Sequence, residues 1–89
     1  TVGGARVLGR DDIGILAPGR CADLIAYDLD RVEFAGARHD PVAAVVMCAP
    51  VTVDHSWVAG RQVVEDRRLP GLDLADLVQE HNRLAATLV

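Results

Sequence analysis

Three histidines, two cysteines and a serine beside a histidine are the side chains with which this chain could do chemistry, and their spacing argues against each use. A hydrolytic metal site needs several His, Cys or carboxylate ligands that converge. His39, His55 and His81 fall in a predicted loop, a predicted strand and a predicted helix, and none forms His-x-His or His-x-x-x-His. His55 is expected to line a sheet face beside Trp57, and His81 to flank the apolar face of the last helix. Ser56 follows His55 directly, but strand neighbours point to opposite faces and cannot share a proton. Cys21 and Cys48 form no CxxC and sit in apolar settings, so they read as two small buried thiols rather than a disulfide or a ligand pair. Gly3-Gly4 through Gly9 lacks GxGxxG spacing, no strand precedes it, and the chain has no lysine for a phosphate loop. Asp23, without a partner in sequence, reads as a structural acceptor for turn amides. The sequence therefore assigns no catalytic, cofactor-binding or metal-ligating residue to these 89 positions.

The elements that would position such groups are marked by local punctuation. Residues 1–9 read as a short helix stopped by Gly9. Pro18-Gly19 predicts a type II turn feeding a largely apolar strand over 22–28. Residues 29–39 read as a loop. Asp40-Pro41 starts a helix, Asp40 capping free amides and Pro41 suiting the first helical position. That helix, 42–48, is apolar on every side, which normally means burial from all directions. Residues 51–58 and 61–66 form a hairpin about Ala59-Gly60. A two-residue loop there sets Trp57 against Gln62, Ser56 against Val63 and His55 against Val64. Ala59 is a poor choice for a type I′ turn, which needs positive φ at both positions. The chain turns again at Pro70-Gly71, and Asp73 caps a last helix running through Leu88. Its apolar face carries Leu74, Leu77, Val78, Leu84 and Leu88.

Composition narrows the class. Half the residues are apolar but only Tyr27, Phe34 and Trp57 are aromatic, so the core is aliphatic and small. Net charge is −4 and the nine arginines are scattered, leaving no basic stripe for nucleic acid. The longest apolar run, 42–53, is too short to span a bilayer and contains Pro50. No secretory signal is visible.

The ordered series Thr1-Val2-Gly3-Gly4-Ala5-Arg6-Val7-Leu8-Gly9, Asp12-Ile13-Gly14, Pro18-Gly19-Arg20 and Ala22-Asp23-Leu24-Ile25 resembles the C-terminal segment of the metal-dependent amidohydrolase superfamily. His39-Asp40-Pro41-Val42-Ala43-Ala44 and Val53-Asp54-His55-Ser56-Trp57-Val58-Ala59-Gly60-Arg61 resemble the branch that deaminates or dechlorinates aminated heterocycles. Phe34-Ala35-Gly36-Ala37 before them is most similar to the 8-oxoguanine deaminase and hydroxyatrazine hydrolase group. Ala59 departs from the Asn-Gly common at that turn.

The resemblance implies an α+β piece, mainly β with flanking helices. It would be the C-terminal part of a composite β-sandwich plus the last helix of a (β/α)8 barrel, with the catalytic barrel absent. Residues 1–10 would be the barrel-helix remnant. Residues 11–70 would be the C-terminal half of the sandwich, with a helix inserted near 40–48, and 71–89 a packing helix. The parent would be a cytoplasmic enzyme holding one divalent metal, zinc or iron, on residues upstream of Thr1. The piece itself would hold no cofactor and be inactive alone. The missing initiator Met and the uncovered Val2, Ala5, Val7 and Leu8 agree with a piece of a larger protein. Its partners would be the parent's barrel and N-terminal strands, or other copies of itself, with neither nucleic acid nor membrane involved. The competing reading is an independent small binding or assembly module.

Overall fold

The structure is a computed structural model that describes residues 1–48 and 52–88. Helix α1 (Val2–Val7) ends as the glycine predicts. Gly9, at φ +66°, donates its N–H to the Arg6 carbonyl, and Arg10 donates to the Ala5 carbonyl. This pair of bonds satisfies the last free carbonyls of the helix. The chain then folds back so that Gly14 lies against the start of α1. A Cβ at Gly14 would sit 3.0 Å from the Thr1 carbonyl and 3.1 Å from the Ala5 Cβ, and its φ is +87°. Only glycine fits there.

The Pro18-Gly19 turn closes with Arg20 N–H donating to Ala17 O at 3.1 Å. It leads into β1 (Leu24–Ala26), shorter than the strand read from the sequence. With β2 (His55–Val58) and β3 (Arg61–Val64) it forms a three-stranded antiparallel sheet in the order β1-β2-β3. Residue 51, the predicted start of β2, lies outside the described residues. Asp54 stays in register without being part of the strand, donating its N–H to Ala26 O at 3.0 Å.

The hairpin turn is type I′ in sign, with Ala59 at φ 50° and Gly60 at φ 77°. Trp57 faces Gln62, as the two-residue loop requires, but Ser56 faces Val64 rather than Val63. Val63 is an extra residue that shifts the register between Ser56 and Trp57, so His55 does not pair with Val64. A bulge of this kind cannot be read from an unbroken run such as Gln62-Val63-Val64. The next turn also comes earlier than predicted. Glu65 and Arg68 bridge about Asp66 (φ 47°) and Arg67 (φ 64°), a second two-residue turn ahead of Pro70-Gly71.

The stretch read as loop contains a 3-10 helix, Val32–Phe34, whose Phe34 is fully buried and meets Tyr27 edge-on at 6.3 Å. Helix α2 (Pro41–Met47) begins as predicted, Asp40 accepting the Ala43 N–H at 3.0 Å. The described residues cover little of its all-apolar surface. Only Ala44 is buried, while Val42, Val46 and Met47 are more than two-thirds exposed. Helix α3 (Leu74–Ala85) is capped by Asp73 and stops one turn short of the predicted end. It buries none of its residues.

Ala5, Phe34 and Ala44 are the only hydrophobic residues sealed from water among those described. The radius of gyration is 16.8 Å, against about 12 Å for a compact domain of this length. The accessible surface is 7097 Å², roughly 2,000 Å² more than a compact monomer of this mass exposes. Aliphatic residues at both ends of the chain and on α2 are among those exposed, including Val7, Leu8, Val42, Met47 and Leu88.

Candidate functional site

The three histidines are held apart by their elements. His39 places Nδ1 3.1 Å from the Gly36 carbonyl, closing the turn before α2. His55 and Trp57 share a face of β2, with ring centroids 5.8 Å apart. Its Nδ1 faces Gln62 Nε2 at 3.3 Å and the Asp66 N–H at 3.5 Å, so Nδ1 is the acceptor. His81 sits exposed on α3. Among the described residues no three His, Cys, Asp or Glu side chains converge as a metal would need.

Cys21 and Cys48 are both free and half-buried, not fully buried as their settings suggested. Cys21 donates its thiol to Asp12 Oδ2 at 3.4 Å. The same carboxylate receives two N–H groups from Arg10, at 2.8 and 2.6 Å. The Arg10 hydrogen bonds lower the Asp12 carboxyl to about 2. Bonding to that anion, and then burial, push the Cys21 thiol up. A thiol held protonated is a poor nucleophile.

Asp23 is a structural acceptor, but for a different turn than the one beside it. Its Oδ1 accepts the Ala59 N–H at 2.7 Å, and Gly60 N–H donates to Ala22 O at 3.0 Å. The two contacts tie the tip of the β2–β3 hairpin to the start of β1.

Asp54 is the carboxylate that joins most parts of the fold among the described residues, and no sequence pattern assigns it that role. Its Oδ2 accepts the Asp28 N–H at 2.7 Å and faces Arg31 Nη1 at 3.5 Å, while Oδ1 lies 3.7 Å from Arg67 Nε. The Asp28 amide, then the two guanidiniums, hold its carboxyl below the usual carboxylate range. Every bond of this cluster joins parts of the fold, so its role is to hold the sheet to its connections.

Between α1 and the sheet runs an open apolar groove of about 630 Å³, lined by Ala5, Leu8, Ile15, Leu24, Trp57 and Val58 among others. Such a surface suits burial against another apolar surface, not proton or phosphoryl transfer.

No family model matches the chain. Its relatives are informative. The chain is 46% identical over all its 89 residues to an 8-oxoguanine deaminase of Pseudomonas aeruginosa, covering 20% of that protein. It is 44% identical over 82 residues to a hydroxydechloroatrazine ethylaminohydrolase of Pseudomonas sp. (strain ADP), covering 89% of this chain and 17% of that protein. Among solved structures, atrazine chlorohydrolase TrzN from Arthrobacter aurescens TC1, complexed with zinc, superposes with TM-score 0.81 at 35% identity. That match covers 94% of this chain and 18% of the other. An adenosine deaminase from Xanthomonas campestris with bound zinc gives TM-score 0.84 at 32% identity over 98% of this chain and 20% of its own.

The chain belongs to the amidohydrolase family. Its sequence matches the C-terminal part of these enzymes, and it spans about a fifth of their length. The three-stranded antiparallel sheet and the helices around it are that amidohydrolase segment's fold. No helix among the described residues is long and apolar enough to cross a membrane.

Proposed function

We propose that this amidohydrolase segment is a non-catalytic part of a longer cytoplasmic enzyme that removes an amino group, or a halide, from an aminated heterocycle such as 8-oxoguanine. Residues 1–10 are then the last helix of a barrel, 11–70 the C-terminal half of a small sandwich, and 71–89 a helix packed alongside. The chemistry rests on one divalent metal, zinc or iron, held elsewhere in the polypeptide, which supplies activated water. What the residues here supply is shape. Asp23 and Asp54 hold a rigid sheet, and α1, the groove and α2 offer apolar surface to the rest of the enzyme.

The observation that carries this reading is the 46% identity across the whole chain to an 8-oxoguanine deaminase. The roughly 2,000 Å² of surplus surface supports it physically, being of the size that permanent interfaces bury. The apolar stripe of α3 and the free edges of a three-stranded sheet ask for the same cover. In isolation the segment self-associates through these surfaces.

The deciding experiment expresses the complete reading frame that carries these residues, loads it with zinc, and follows ammonia release from 8-oxoguanine and ethylamine release from an ethylamino-hydroxytriazine. Turnover by the complete protein and none by the 89 residues alone is the expected pair of results. A reading frame with no further domain, or turnover by these residues alone, overturns the proposal; the first outcome favours an independent binding module.

A further inference from the structure

The turn at Asp66–Arg67 places two consecutive non-glycine residues in the left-handed region, at φ 47° and φ 64°. L-residues visit that region reluctantly because Cβ crowds the following carbonyl, and a two-residue hairpin turn of this sign is ordinarily made from Asn-Gly. Asp66 tolerates this region better than most residues, but Arg67 does not, and it stands where glycine is usual. The turn nevertheless closes in both directions, Glu65 N–H donating to Arg68 O at 2.9 Å and Arg68 N–H to Glu65 O at 2.8 Å.

What surrounds the turn explains why it persists. Asp54, the residue before β2, and His55, its first residue, grip both of the turn's central residues. Asp54 accepts the Arg67 N–H on its backbone oxygen at 2.9 Å, and its Oδ1 lies 3.7 Å from Arg67 Nε. His55 turns Nδ1 towards the Asp66 N–H at 3.5 Å and Nε2 towards Asp66 Oδ1 at 3.7 Å. Asp54 is in turn fixed by the Asp28 amide and by Arg31, so the grip is anchored in the sheet's other connections.

This turn is also the route from the sheet to α3, which buries none of its residues against the rest of the chain. A concavity of about 710 Å³ separates the turn from the first residues of α3, bounded by Glu65, Arg68, Leu69, Pro70 and Leu72. Packing within this chain therefore does not set where α3 points.

We infer that Asp54 and His55 clamp a strained elbow at Asp66–Arg67, and that this clamp fixes the direction in which the chain leaves the sheet towards α3. Asp54 is a positioning residue on this account. The elbow belongs to these residues whichever polypeptide contains them, so it stands or falls separately from the deaminase reading.

The test is hydrogen exchange of the Glu65, Arg67 and Arg68 amides in the protein that carries this chain, with the Trp57 and Gln62 amides reporting that the sheet is intact. Asp54→Ala keeps the backbone acceptor of the Arg67 N–H but removes the carboxylate that pairs with Arg67 and anchors that backbone to Asp28. It is expected to speed exchange at the elbow by about tenfold while the sheet amides hold. Adding Asp66→Asn and Arg67→Gly, which make the turn comfortable without a clamp, is expected to restore slow exchange. Should Asp54→Ala loosen the sheet through the lost Asp28 contact, the comparison is read in Asp54→Asn, which keeps an acceptor there but offers Arg67 no charge. Unchanged elbow exchange in both Asp54 variants overturns the inference. So does a failure of the Asn-Gly turn to rescue, since Asp54 would then act through something other than strain.

Discussion

Asp23 accepts the backbone N–H of Ala59 at 2.7 Å, joining the first residues before β1 to the tip of the β2–β3 hairpin. The bond falls on a residue that pays for its conformation: Ala59 holds φ 50°, at about 1 kcal/mol relative to glycine. Replacing Ala59 with glycine keeps the N–H and removes the strain, so the expected gain is roughly 1 kcal/mol in a denaturant titration. Asp23→Ala leaves the amide to water and shifts the midpoint the other way. A loss from Ala59→Gly would mean that the turn's shape, and not its strain, is what the methyl group serves.

Phe34 is the one large side chain with no exposed surface among the described residues. Truncating a buried phenylalanine to alanine ordinarily costs about 3–5 kcal/mol, a large share of any small domain's stability. Phe34→Ala is therefore expected to abolish the cooperative transition followed at Trp57. Phe34→Leu, which keeps most of the volume but loses the edge-on contact with Tyr27, is expected to retain it.

Gly14 marks where the loop before β1 touches α1. Gly14→Ala places a methyl group 3.0 Å from the Thr1 carbonyl at a φ of +87°, a combined strain of roughly 2 kcal/mol. Increased exchange confined to the amides of α1 is the expected signature. Gly3→Ala serves as the control, since nothing lies within 4 Å of its added Cβ.

Asp12 supplies a pH test. Its carboxyl is lowered to about 2, first by the hydrogen bonds from Arg10. A carboxyl depressed in the folded state contributes stability above its unfolded value near 3.8, and that contribution is lost as pH falls towards 2. The pair is half-exposed, so its weight in overall stability is small and the direct readout is the carboxyl carbon shift. Arg10→Ala should return the titration towards 3.8. A midpoint that stays near 2 in that variant would assign the shift to Cys21 and the backbone instead.

Much of the fold was legible because its causes are local. The stop at Gly9, the turn at Pro18-Gly19, and the caps at Asp40 and Asp73 each depend on residues within one helical turn or less. The features that escaped depend on distant ones. Asp54 means nothing until Asp28 and Arg67 are beside it, and Asp23 points at a hairpin tip 36 residues on. Val63 repeats the residue type of its neighbour and Arg67 is not a usual turn residue, so neither the extra residue nor the second turn is marked locally. The all-apolar sequence of α2 describes a helix that so short a chain has trouble covering, and among the described residues its Val42, Val46 and Met47 do stay exposed.

The three-residue core has a kinetic consequence. With Ala5, Phe34 and Ala44 alone withdrawn from water among the described residues, little apolar burial favours this arrangement over rival collapsed forms. Its exposed leucines and valines can be quenched by a larger body or by a neighbour of the same kind. Which happens is a race: one encounter is first order when both surfaces share a polypeptide, the other second order in concentration, so dilution favours the correct mate.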